Sequence, residues 1–195
     1  MSTQKRKYEL RARAASQRAT RARIVKAAAE LHEQQGVAST TVADIARRAG
    51  VQRLTVYNHF ADLSELLPAC SAHYLELHSP PDVSAALSLD DPSARLRAVL
   101  SAFYSWYRDN EQLQERVQGE RSTVPELEAW MARTADVALA QLSDGLAAGF
   151  GLRDGRLHAL IRLALDFWTW RRLDREGLDD EAAAELMARS VAAVS

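Results

Sequence analysis

Apolar residues recur at helical spacing along most of the chain, and no stretch shows the strict apolar/polar alternation of a half-buried β-strand. A first long helix is predicted over about Arg18–Gln35, where the following glycine ends it; an earlier start is the alternative, since Tyr8 to Ala15 contains no helix breaker. A later helix, with Thr123 and Glu126 as its expected capping pair, is predicted to run on to Gly149. Another is predicted to run unbroken from about Asp154 to Arg175. We therefore predict an all-α fold, whose helices beyond residue 61 begin near residues 62, 92, 111, 123, 154 and 179.

Residues 41–60 predict two short helices joined by a tight turn. Thr41 is a suitable N-cap, and Asp44 three residues later completes a capping box. Gly50 reaches positive φ at little cost and therefore suits the end of the first helix. The second helix is predicted over about Arg53–His59. This arrangement is a helix-turn-helix, which places its second helix in the major groove of DNA, although an ordinary αα-hairpin has the same periodicity.

This stretch resembles the DNA-binding domain of the TetR family of transcriptional regulators over about residues 20–67. Three positions depart from the family pattern. Gln52 stands where the family usually has a serine N-cap, Leu54 where many members have glycine, and Leu63 where a lysine often helps to hold a phosphate. The residues that carry the resemblance are Gly36, Thr41, Ile45-Ala46, Ala49-Gly50-Val51, Thr55, Tyr57 and His59-Phe60.

The resemblance implies that the second helix of this motif contacts DNA. Arg53 suits a guanine edge or a phosphate, and Gln52 suits an adenine. Thr55 and Tyr57 are expected to hold backbone phosphates, which position the helix without specifying the base sequence. The predicted DNA-binding residues are Thr41, Arg47, Arg48, Gln52, Arg53, Thr55, Tyr57 and His59.

Charge is distributed unevenly, although the net charge is only −1. Residues 1–60 hold 12 Lys/Arg against 4 Asp/Glu, whereas residues 61–195 hold 13 against 22. A basic first third suits a polyanion such as duplex DNA, and the alternative is a solvated helix face. The basic residues of 1–16 are expected either to lie on DNA as an arm or to be disordered.

Composition narrows the class of protein. No segment reaches the ~18 consecutive apolar residues of a membrane span, and the N-terminus lacks the apolar core of a secretory signal. Cys70 is the single cysteine, so neither an intrachain disulfide nor a thiolate metal cluster is predicted. The five histidines are scattered, and no catalytic motif is present. We predict a cytoplasmic protein without enzymatic activity, metal or cofactor; a small all-α enzyme and a helical interaction protein are the alternatives.

The last third of the chain predicts a dimer interface. The segment over residues 154–175 is apolar around much of its circumference, so one side is expected to face its own domain and another a partner chain. Ala184, Ala188 and Ala192 on the final helix allow close helix approach. TetR-like proteins dimerise in this way through a four-helix bundle, and a merely buried core helix is the alternative. The predicted interface residues are Ile161, Leu165, Trp168, Trp170, Leu186 and Val191.

Aromatic residues concentrate after residue 61, where ten of the 13 lie. Between bundle helices such side chains either fill a core or line a ligand cavity, and the resemblance favours an effector site for a flat or greasy small molecule. His158, Arg162 and Asp166 form a polar stripe at i, i+4 and i+8, which suits either effector contact or an ion-paired rim. The predicted pocket residues are Phe103, Tyr104, Trp106, Tyr107, Trp130, Arg162, Asp166 and Phe167.

Together these features predict two domains. Residues 1–66 form a basic arm and a three-helix helix-turn-helix domain, and residues 67–195 form a helical bundle for effector binding and dimerisation. The predicted function is that of a homodimeric regulator, a repressor, which a small-molecule effector releases from an inverted-repeat operator in double-stranded DNA.

Overall fold

A computed structural model describes residues 3–151 and 155–194, which form twelve α-helices and no strand. The prediction of an all-α fold is therefore confirmed. The helices are α1 (Thr3–Gln35), α2 (Val42–Ala49), α3 (Arg53–His59), α4 (Leu63–Leu77), α5 (Ser84–Leu87), α6 (Pro92–Asp109), α7 (Glu111–Glu120), α8 (Pro125–Arg133), α9 (Ala135–Gly149), α10 (Gly155–Leu165), α11 (Phe167–Arg175) and α12 (Asp180–Ala192).

The first core lies where the second half of α1 packs against α2, α3 and α4. Ile24 and Ala28 of α1, Ile45 of α2 and Val56 of α3 are all buried in it. Ile45 and Val56 belong to helices of only eight and seven residues, which are marginal alone and therefore depend on this packing against α1. This small core therefore fixes the angle at which α3 is presented.

Helix α4 leads from the first core to the rest of the molecule. Asp62 caps it by accepting the Glu65 backbone N–H at 3.1 Å. Pro68 lies inside the helix, which nevertheless continues to Leu77. Leu66 packs in the first core, whereas Leu67 packs in a small separate cluster with Val37, Val124 and Leu127. The boundary predicted between residues 66 and 67 thus falls within a continuous helix.

The second core joins α6 to α9, α10, α11 and α12. Ala184 and Ala188 are buried in it, and their small side chains let α12 lie close against α6. This corrects the expectation that these alanines face a partner chain.

Two long predicted helices are interrupted. Residues 125–149 form α8 and α9, which are interrupted at Thr134, where φ is −123° and ψ is −85°. The Thr134 hydroxyl donates to the Trp130 carbonyl at 2.8 Å. The N-cap position of α8 is Val124; the Thr123 hydroxyl instead donates to the Glu120 carbonyl, so the predicted Thr123 cap is wrong.

The second interruption falls at Asp166, which separates α10 from α11. Its carboxylate accepts the backbone N–H groups of Trp168 and Thr169 and caps α11. The last carbonyls of α10 are satisfied instead by Tyr104 and Tyr107, whose hydroxyls donate to Ala164 and Leu165 at 2.7 Å each. The predicted start of this segment at Asp154 lies outside the described residues.

Candidate DNA interface and ligand cavity

The helix-turn-helix is built by local capping, as predicted. The Thr41 side chain accepts the Asp44 N–H at 3.2 Å, and the Asp44 carboxylate accepts the Thr41 N–H at 3.3 Å. Gly50 has φ of +65°, and Val51 N–H closes the turn on the Ala46 carbonyl at 3.0 Å. Because these contacts are made within ten residues, the angle between α2 and α3 is set locally and held by the first core.

Helix α3 has one buried side and one open side. Val56 is only 2% exposed and anchors the helix inward. Arg53, Leu54 and Tyr57 are exposed, with Leu54 at 67% and Tyr57 at 53%. Gln52 precedes the helix, is also exposed and makes no side-chain cap bond. The open side therefore offers a guanidinium, a phenol and an amide to a polyanionic surface.

Thr55 and His59 are half-buried at the edge of this open side. Asn58 is exposed beside Tyr57 and was missed by the sequence prediction. It lies four residues after Leu54, and this helical spacing is the signal that places both on one face. Its amide can read an adenine edge in the same way as that of Gln52.

The DNA-binding residues predicted on and before α2 differ in how far their side chains are exposed and in the contacts that they already make. The Arg47 side chain is 78% exposed and pairs with Asp44 at 2.6 Å. Arg48 instead contacts α1, where it bonds Glu30 at 3.1 Å and Gln34 at 2.8 Å. Thr41 is exposed but caps α2. Arg48 therefore helps to hold α2 against α1, and its contact with DNA stays a prediction.

The first half of α1 projects from the domain. Helix α1 begins at Thr3 rather than near Arg18, and residues 6–13 are all exposed. At 1.5 Å per residue, the segment before residue 20 extends roughly 25 Å. The predicted alternatives for residues 1–16 were an arm or disorder; from Thr3 onward the chain is a basic helix.

A cavity of about 680 Å³ lies between α1, α4, α6, α7, α8 and α9. Its lining is largely apolar, and four of the predicted pocket residues contribute to it: Phe103, Trp106, Tyr107 and Trp130. Tyr74 of α4 adds a fifth ring. A cavity of this size and character suits a small organic molecule.

The other four predicted pocket residues lie elsewhere. Tyr104 and Phe167 are buried in the second core. Asp166 caps α11, and Arg162 lies 3.7 Å from Asp144 on the outside of α10. His158 also approaches Asp144, at 3.8 Å, so the predicted polar stripe is a surface ion-paired rim that excludes Asp166. The interruption at Asp166 is the reason, since it turns α11 away from the helical register of α10.

Polar groups in the cavity wall are few. The Tyr74 hydroxyl donates to the Asn110 side chain, and the Cys70 thiol lies 3.8 Å from the Val25 carbonyl. Burial raises the pKa of the Cys70 thiol to about 12, so the thiol stays protonated. His32 of α1 also lines the cavity and is 6% exposed. The sequence prediction does not include Tyr74 or His32, because neither lies on the helices that carry the predicted pocket aromatics.

Comparison with known proteins identifies the family. Residues 24–70 match the model described as bacterial regulatory proteins, tetR family. Over 95 residues the chain is 42% identical to the HTH-type transcriptional regulator TtgW of Pseudomonas putida, covering 47% of this chain and 69% of that relative. The chain belongs to the TetR family. Its relatives are transcription regulators and not enzymes, which confirms both the predicted family and the predicted class.

Solved TetR-family structures share the fold along most of the chain. AibR, in complex with isovaleryl coenzyme A and operator DNA, is 19% identical with a TM-score of 0.59, over 87% of this chain and 96% of AibR. The multidrug binding protein EbrR, complexed with imidazole, is 24% identical with a TM-score of 0.56, over 87% of this chain and 93% of EbrR. At this identity the likeness establishes the fold, with an N-terminal helix-turn-helix and a C-terminal helical domain.

The residues predicted for a TetR-type dimer interface fall into two groups. Ile161, Leu165, Trp170 and Val191 are at most 2% exposed within their own chain, so they have no surface to offer a partner. This corrects their assignment. Trp168 and Leu186 remain open, at 41% and 46% exposed, and their contact with a partner stays a prediction.

Over residues 3–151 and 155–194, no group of three or more His, Cys, Asp or Glu side chains is placed to hold a metal ion. In the same part of the chain, no helix has both the length and the apolar character required to span a bilayer.

Proposed function

We propose that this TetR-family protein is a homodimeric repressor that binds an inverted-repeat operator and is released by a small apolar effector. The observation that carries the proposal is the open side of α3, where Arg53, Tyr57 and Asn58 are exposed while Val56 anchors the helix inward. A helix fixed on one side and polar on the other suits insertion into a major groove.

Dimerisation would use the exposed apolar residues of the last three helices. Leu163 of α10, Trp168 of α11 and Leu186 of α12 are 52%, 41% and 46% exposed. Large apolar side chains left open on consecutive helices are typical of a surface that a partner covers. A two-fold dimer would place the two α3 helices about one turn of DNA, ~34 Å, apart and would require a palindromic site.

Release would follow from contact between the cavity and α4. Leu67, Cys70, Ser71 and Tyr74 of α4 line the cavity, while Leu66 of the same helix packs in the first core. A ligand that shifts α4 would change the separation of the two α3 helices. Ligand binding would then weaken DNA binding by a coupling free energy of about 1–3 kcal/mol, and DNA binding must weaken ligand binding by the same amount.

Fluorescence anisotropy with a labelled fragment of the protein's own promoter region tests the proposal, alongside sedimentation of the free protein. We expect a dimer whose affinity for the fragment exceeds that for a scrambled duplex and falls steeply with salt, because Lys and Arg side chains release counterions from DNA. Absent or salt-insensitive DNA binding would favour the alternative of a helical interaction protein. Because the proposed partner is chromosomal DNA, the proposed location is the cytoplasm.

A further inference from the structure

His32 lies on α1, a helix of the DNA-binding domain, yet it lines the ligand cavity. Its neighbour Leu31 packs in the first core, whereas His32 lies with Ala29 among the cavity-lining residues. It is 6% exposed, three residues before α1 ends at Gln35. A molecule bound in the cavity can therefore touch the DNA-binding domain directly as well as through α4.

The Nε2 atom of His32 is buried and has no hydrogen-bond partner among the described residues. Two other polar side chains of the cavity wall have partners within the protein, since Tyr74 donates to Asn110 and Thr134 donates to the Trp130 carbonyl. A buried polar atom that is left unpaired is destabilising, because the hydrogen bonds it made to water are not replaced. A core histidine that served only packing would be expected to find a partner, so this atom points to a ligand group.

The charge of the cavity wall defines the ligand class. None of the lining residues is Asp, Glu, Lys or Arg. Burial lowers the pKa of His32 to about 4, so its imidazole is neutral at neutral pH. An ionic ligand would be removed from water without a countercharge, which is costly. The rings of Trp106 on α6 and Trp130 on α8 both line the cavity and suit a flat, neutral molecule.

We propose that the cavity binds a neutral, largely aromatic molecule carrying one hydroxyl or amide group, and that this group hydrogen-bonds to Nε2 of His32. The inference rests on the proposed function, since it names the effector class of the same site. It assigns His32 the role of specificity-determining residue. It also adds α1 to the path by which a bound ligand reaches the helix-turn-helix.

A competition experiment on the full-length protein tests this hydrogen bond. N-phenyl-1-naphthylamine serves as the neutral fluorescent reporter, and biphenyl and 4-phenylphenol, which differ by one hydroxyl, displace it. We expect the ratio of the biphenyl to the 4-phenylphenol dissociation constant to be about three- to tenfold larger for the wild type than for His32→Leu, the range of one neutral hydrogen bond. His32→Gln, which keeps a hydrogen-bonding amide, should retain part of the ratio.

His73→Leu is the matched control, because His73 lies on α4 but does not line the cavity. It should leave the ratio at the wild-type value. An equal ratio in wild type, His32→Leu and His32→Gln would overturn the assignment of His32. The charged analogue 8-anilinonaphthalene-1-sulfonate should bind at least tenfold more weakly than the reporter; equal binding, or no binding of the reporter to wild type, would overturn the neutral aromatic class.

DNA binding measured on the same preparations separates this inference from the proposed function. Promoter binding with an unchanged hydroxyl ratio would mean that the ligand assignment fails while the regulator role stands. If the ratio depends on His32 but the protein binds no DNA, the ligand assignment stands and the regulator role fails.

Discussion

The Glu120 carboxylate at the end of α7 accepts the backbone N–H of Val37 at 2.6 Å, in the loop that follows α1. The same oxygen accepts the Ala38 N–H at 3.1 Å. Helix α7 also lines the cavity through Leu113 and Val117. One side chain therefore joins a cavity helix to the loop between α1 and α2.

Replacing Glu120 should weaken the contact between α7 and the loop that follows α1. In Glu120→Ala the N–H of buried Val37 loses a charged acceptor, so we expect the free energy of unfolding to fall by about 1–3 kcal/mol in urea titrations. Gly36→Ala should cost a similar amount, because a Cβ there would overlap the Glu120 carboxylate and φ is +86°. Glu115→Ala, which removes an exposed pair with Arg175, should cost less than ~1 kcal/mol. If both Glu120→Ala and Glu115→Ala lower the free energy of unfolding by the same amount, the Glu120 contact is not a stabilising link between α7 and the loop.

Arg53→Ala should weaken DNA binding while leaving the oligomeric state unchanged, because Arg53 is exposed on α3. The loss expected for a base contact is about 1–3 kcal/mol with little change in salt dependence, whereas a phosphate contact would lower the salt slope by about one. Anisotropy titrations at several salt concentrations distinguish these outcomes. Arg133→Ala, which removes an exposed arginine on α8, is the control. Affinity equal to that of the wild type at moderate salt would remove Arg53 from the interface.

Trp168→Arg and Trp170→Arg should have different effects, although only one residue separates the two tryptophans. Trp170 is 1% exposed and donates to Asp180 at 2.9 Å, so its replacement should unfold the protein, at a cost above ~4 kcal/mol. Trp168 is 41% exposed, so its replacement should give a folded monomer. Circular dichroism and sedimentation velocity measure the two effects.

Leu87→Arg is the control for the exposed position. Leu87 is 40% exposed on α5, away from the proposed dimer surface, and its replacement should leave the dimer intact. A dimeric Trp168→Arg protein would exclude Trp168 from the interface.

Stability should fall as the pH decreases from about 6.5 to about 4, in part because of His32. Burial lowers its pKa from 6.5 to about 4, so in this window the unfolded chain binds a proton that the folded chain does not. The full contribution is roughly 3 kcal/mol. His32→Leu should lose this component in urea titrations at pH 7.5, 6 and 5, whereas His73→Leu should not. Parallel pH profiles for wild type and His32→Leu would show that His32 is not the group responsible.

The local parts of the molecule were predictable because their determinants lie within a few residues. Thr41, Asp44 and Gly50 specify the helix-turn-helix through caps and one positive φ, and the structure confirms each. Helices α6 and α12 begin within one residue of the predicted positions 92 and 179, where Asp91 and Asp179 cap them. Such contacts depend on sequence spacing, not on the rest of the fold.

Other features depended on residues far apart in the chain. Periodicity alone did not reveal the interruptions at Thr134 and Asp166, because the second is stabilised by Tyr104 and Tyr107 from α6. The apolar pattern of a helix also does not indicate which surface the helix packs against. For this reason Trp170 is predicted at a partner interface, whereas it lies in the core of its own chain.

The all-α class, the family and the helix-turn-helix follow from the amino-acid sequence, since caps, turns and hydrophobic spacing act locally. Long-range packing places Arg48 against α1, leaves Trp168 but not Trp170 exposed, and brings His32 to the cavity. These outcomes depend on which helices become neighbours, and burial of apolar surface over the whole chain selects those neighbours.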